Sequence, residues 1–145
     1  MSIIWGIILI VFTLILCWLM QVINAISPAL AAKLGVAEAE DEIDRTFFLD
    51  GRGKAIWDAL ILWTLPVAGI LLLLDDPSWA YFGLVGGGMY LYFAGRGLMV
   101  RRVLGQHDIA IGEAGTRKLY NGVLFLWGLI AVVTIFMAVD ALPLA

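Results

Sequence analysis

The sequence predicts an all-α integral membrane protein of four transmembrane helices, both termini outside, with a short interfacial helix in the first cytoplasmic loop. Composition, uncharged runs and the placement of basic residues predict this. Of 145 residues, 63% are hydrophobic and 14% charged, whereas soluble domains run at about half apolar and about a quarter charged. Residues 1–32 and 119–139 carry no charge, and an apolar run of about 18 residues or more marks a membrane helix. The basic residues all fall on one side of the path that results.

The first span covers about residues 3–24. No basic segment precedes it, and its apolar run exceeds a signal peptide's core, so it reads as a retained helix. Thr13, Cys17, Gln21 and Asn24 follow at spacings of four, four and three, which aligns them on one helix face. Polar side chains in lipid turn toward protein, so this stripe should face the interior. Cys17 is the single cysteine and forms no intrachain disulfide.

The first loop, Ala25 to Lys54, is the longest connection. Ser27-Pro28 suits the start of a short interfacial helix that Gly35 ends. Glu38, Glu40, Asp41, Glu42 and Asp44 lack the alternation of a calcium loop and read as a solvated acidic turn.

Spans two and three, about 55–74 and 79–100, flank the tight turn Asp75–Ser78, where Asp76 and Pro77 suit an N-cap and a first-turn proline. A loop from Arg101 to Lys118 precedes span four, about 119–140, and residues 1–145 form one domain. Lys33, Arg45, Arg52 and Lys54 lie in the first loop, and Arg101, Arg102, Arg117 and Lys118 in the third. The positive-inside rule then makes both long loops cytoplasmic, in a plasma (inner) membrane. Trp5, Trp79 and Tyr81 fall at the outer interface and Trp57 at the inner one, as an aromatic belt requires.

Counting outward from the tight turn matches depths across the hairpin. Asp58 and Arg96 are nearly equidistant from it and opposite in sign, which predicts an ion pair or a shared polar network. Snorkelling of Arg96 to the inner surface is the alternative. Pro66 falls level with Gly87; Gly83, Gly86 and Gly87 then read as a packing surface opposite a proline bend. Tyr90, Ala94 and Gly97 continue that face. Gln21, Asn24, Tyr92, Tyr120 and Asn121 share the depth of Asp58 and Arg96, so all four spans supply one polar layer below the cytoplasmic surface. It reads either as a site for a polar or anionic headgroup, with Arg96 as the cation, or as polar residues gathered where water is near.

No metal site is predicted, since His107, Asp108 and Glu113 lack further ligands. Gly51-Arg52-Gly53-Lys54 lacks phosphate-loop spacing, Asp75-Asp76 belongs to a turn, and nothing suggests nucleic-acid binding. No cofactor is identified. The partners expected are membrane lipid and a second copy or another membrane protein. The expected function is an oligomerising helix bundle or accessory subunit with a cytoplasmic-side pocket, without a catalytic residue assigned. A small-solute transporter or channel is one alternative. The other is a membrane enzyme, because length, topology, the long first loop and the arginine in span three resemble the membrane-associated eicosanoid and glutathione superfamily. That family's Arg, Asn and Glu constellation around helix two is not reproduced by Arg52, Lys54 and Asp58, and glutathione chemistry is not carried over.

Overall fold

The computed structural model describes residues 2–142, and its elements are helical. The first span is continuous over Ile3–Ile26. It comprises α1 (Ser2–Leu9), a π-helical segment (Ile10–Trp18) and α2 (Leu19–Ile26). Next come α3 (Pro28–Lys33), α4 (Arg45–Ile61), α5 (Thr64–Leu73), α6 (Trp79–Gln106) and α7 (Ala114–Ala141). Three stretches are long and apolar enough to cross a membrane: Ile3–Ile26, Arg45–Leu73 and Ala114–Ala141. At 28 residues, α6 equals α7 in length, but its glycines and three arginines make it less apolar.

The π-helical widening has a local cause. The Tyr90 hydroxyl donates to the Thr13 carbonyl at 3.0 Å, and Trp127 Nε1 donates to the adjacent Phe12 carbonyl at 2.9 Å. Side-chain donors inserted at successive carbonyls disturb the usual ladder and favour the wider turn. The Thr13 hydroxyl donates back to the Leu9 carbonyl at 2.6 Å. Thr13 and Cys17 are fully buried, so that part of the polar stripe faces the interior, while Gln21 and Asn24 are half-buried.

Helix ends follow their capping residues. Ser27 Oγ accepts from the Leu30 N–H at 3.3 Å, Pro28 opens α3, and Gly35 beyond its end has φ of +70°. Asp44 accepts from the N–H groups of Thr46 and Phe47, so the second long helix starts at Arg45 rather than near residue 55. Hydropathy detects lipid exposure, whereas a good cap lets the charged flank stay helical. The third long helix, α6, likewise keeps its charged flank helical to Gln106, and α7 begins at Ala114 after Glu113, which makes no side-chain cap. Pro66 has no N–H for the Leu62 carbonyl four residues back, and the helix interrupts at Leu62–Trp63. At the tight turn, the Ser78 N–H donates to Asp76 Oδ1 at 2.8 Å and holds that carboxyl below its ordinary pKa. The helix itself starts at Trp79, with Asp76 and Pro77 in the preceding turn.

Close helix pairs are α6 with α7, α5 with α6, α1 with α5, and α2 with α4. Small residues set these approaches. A methyl group on Gly86 would stand 2.6 Å from the Leu65 nitrogen, and one on Gly69 would stand 2.9 Å from Leu9 Cβ. Gly87 faces α7 instead, where a methyl would meet Ile135 at 2.6 Å, and Gly83 sits against Ala138 and Thr134. The expectation that these glycines all face the Pro66 bend is corrected: Gly86 does so, while Gly83 and Gly87 serve α7. Their positions in the helix turn explain the split, since residues 83 and 87 lie four apart and 86 points to another side.

The first and third loops are tied together. Ile43 pairs with Ile111 in an isolated antiparallel bridge, and the Asp44 N–H donates to the Ala110 carbonyl at 2.8 Å.

Candidate functional site

Because α4 begins early, it carries Asp50, Lys54 and Asp58 at four-residue intervals on one face. Arg96 Nη2 of α6 donates to both carboxylate oxygens of Asp50, at 2.9 and 3.2 Å. The expected Asp58–Arg96 ion pair is therefore corrected. The arginine reaches toward the helix end, where Asp50 offers a solvated carboxylate and the desolvation cost is smaller. Asp58 is 5% exposed, and its Oδ2 has no hydrogen-bond partner among the described residues. Asp58, Tyr92 and Arg96 nevertheless line one cavity of about 290 Å³, with Asp50, Lys54 and Trp57.

A second cavity, also about 290 Å³, lies between the end of the first span and the start of α7. Its polar wall is Gln21, Asn24 and Tyr120, joined by Lys54, Arg101 and Glu38. Leu16, Met20, Val123, Leu124 and Trp127 form the apolar wall. Arg101 and Glu38 make an ion pair whose side chains are only 12% and 10% exposed. The Arg101 guanidinium stands 4.9 Å from the Tyr120 ring and 5.5 Å from the Phe47 ring, within cation–π range. Its Nη1 is buried with no hydrogen-bond acceptor among the described residues. The Tyr120 hydroxyl donates to the Gly35 carbonyl at 3.2 Å and fastens the loop after α3 over the cavity.

Lys54 lines both cavities, with its Nζ 4.4 Å from the centre of the Phe93 ring. No carboxylate lies within ion-pair distance of it among the described residues. The residues of the single polar layer expected from depth thus line two cavities that share Lys54. Asn121 joins neither: it is exposed at a basic surface depression with Arg102, Arg117 and Lys118.

Depth counting could not find Glu38, Lys54 and Arg101. Lys54 and Arg101 stood just outside the expected spans, and the Asp44 cap was the local signal that α4 begins sooner. Glu38 reads as part of an acidic turn. Glu40, Asp41 and Glu42 are indeed exposed, but Glu38 is folded inward onto Arg101, a partner 63 residues away.

Compared with known proteins, the chain matches no family model, no curated protein and no solved structure.

Proposed function

We propose that this chain is a small four-span membrane protein that holds a polar or lipid-headgroup ligand at its cytoplasmic side. The carrying observation is the cavity in which Gln21, Asn24, Tyr120, Lys54 and Arg101 meet an apolar wall. Pockets that bind small molecules are mostly apolar with a few placed polar groups, and this one has that composition. At about 290 Å³ it sits near the lower end of such pockets, about 300 Å³, and suits a headgroup with part of a chain.

In this reading α6 is the remaining span, antiparallel to α5 and α7, and both termini face outward. The tie between the first and third loops supports placing them on one side, and the basic residues assign that side to the cytoplasm. Association with a second copy or an accessory partner would use other faces than Gly83, Gly86 and Gly87, because α5 and α7 already cover these.

Native mass spectrometry from membrane extract tests the reading, because it reports oligomer size, partners and retained ligand together. A bound lipid or metabolite that survives mild detergent supports it; release of bare protein, with no thermal stabilisation by any lipid class, defeats it. Single cysteines at Asp75 and Asp108, probed with an impermeant thiol reagent, should label from opposite sides. Labelling from one side removes the four-span topology.

A further inference from the structure

The charges of this cavity define its ligand more narrowly, on the reading that it is a binding pocket. Its cations are Lys54 and Arg101, and its one carboxylate is Glu38. Glu38 is committed to Arg101 Nη2, which leaves Nη1 without an acceptor and Lys54 without a carboxylate partner. Within this lining the polar end therefore has one positive charge in excess, beside the amides of Gln21 and Asn24; Asp58, one turn from Lys54 on α4, lines the other cavity and lies beyond ion-pair distance. A partly buried cation without a carboxylate in direct contact is costly, and an anion entering beside it offsets part of that cost.

The apolar end opens sideways. The first span's end and α7 are not a closely packed pair; the cavity fills the space between them. Leu16 and Leu119 stand at its lips, 47% and 59% exposed. An apolar lip half exposed beside two membrane-length helices suits entry from lipid.

We infer that the cavity takes an anionic amphiphile, whose phosphate or carboxylate head sits between Lys54 and Arg101. Its chain lies along Met20, Val123 and Trp127 and leaves between Leu16 and Leu119. The chain contributes apolar burial and the head contributes charge selection.

The test uses the full-length protein in dodecyl maltoside, titrated with dodecyl phosphate, laurate, dodecylphosphocholine or inorganic phosphate and followed by thermal shift. Dodecyl phosphate or laurate should bind at least tenfold more tightly than the zwitterionic dodecylphosphocholine, and Lys54→Gln should abolish that preference. Leu16→Trp, at an exposed position that tolerates bulk, should weaken every amphiphile and leave the protein folded. Equal affinity for the anionic and zwitterionic probes overturns the inference. If Leu16→Trp still weakens both of these, the pocket reading survives that result; if Leu16→Trp changes nothing, the pocket reading fails as well. Inorganic phosphate binding as tightly as dodecyl phosphate overturns the amphiphile and leaves a free-anion site. Because Arg101→Gln strands Glu38, the paired change Glu38→Gln with Arg101→Gln keeps the fold and should lower dodecyl phosphate affinity. Unchanged affinity in that double variant excludes Arg101 from the head site.

Discussion

The half of the molecule near the Asp75–Ser78 turn and the half near the long loops use the same helices in opposite ways. Near the turn, glycines bring backbones together: Gly6 against Gly69, Gly86 against Leu65, Gly87 against Ala131. The charges at this end, Asp75, Asp76 and Asp140, lie at the helix ends, and neither of the two cavities described above reaches it. Near the loops, long charged side chains project from α4 and α6, and two cavities open on either side of Lys54. Small side chains permit dispersion contacts that large ones forbid, whereas charges need partners and room. The close-packed half should therefore be the more sensitive to added bulk, and the polar half has room for a site.

Breaking the close-packed half should have the largest effect. Gly86→Val would drive a side chain into the Leu65 backbone, 2.6 Å from the new methyl position. Destabilisation of about 3 kcal/mol or more, at the top of the usual overpacking range, should appear as a fall in Tm or loss of monodisperse protein. Gly88 has nothing within 4 Å, so Gly88→Val should stay within about 0.5 kcal/mol. Equal damage from the two would mean that the glycines are not packing contacts.

Glu38→Ala comes next, because it leaves the buried Arg101 guanidinium unpaired. A cost of about 1.5–3 kcal/mol is expected. Hydrogen exchange should show it mainly in residues 35–44, with the α5–α6 contact unaffected. A smaller loss, about 1 kcal/mol, is expected for Tyr90→Phe, which removes the donor to the Thr13 carbonyl but keeps the ring. Exchange should locate that loss in the π-helical segment; a uniform loss would count against the inserted donor as its cause.

The smallest effect belongs to Arg96. Its pair with Asp50 is exposed, so a double-mutant cycle should give a coupling of about 0.2–1 kcal/mol. The corresponding Arg96–Asp58 cycle should show weaker coupling. If Asp58 proves the stronger partner, the assignment of Arg96 to the helix end is wrong.

Particular residues show what was legible in advance. The Thr13–Cys17 face was readable because helical period alone aligns those positions. Ser27, Pro28 and Gly35 announced α3 through backbone chemistry that acts within a few residues. Pro66 announced the interruption of its helix, since a missing N–H needs no distant partner. By contrast, the Arg96–Asp50 pairing was hidden: equal depth makes Asp58 and Arg96 neighbours on paper, but side-chain length and hydration choose the partner. The inward turn of Glu38 was hidden too, because an acid in an acidic loop looks solvated until its cation is placed in space.

By itself, the sequence determined the helical class, the uncharged spans and several of their caps and breaks, because these depend on local propensity and on the cost of charge in lipid. Only the tertiary structure decided which glycine serves which neighbour, which carboxylate holds which arginine, and that residues of one polar layer line two cavities. Those outcomes depend on the rotation and spacing of helices distant in the chain, and period and depth do not encode either.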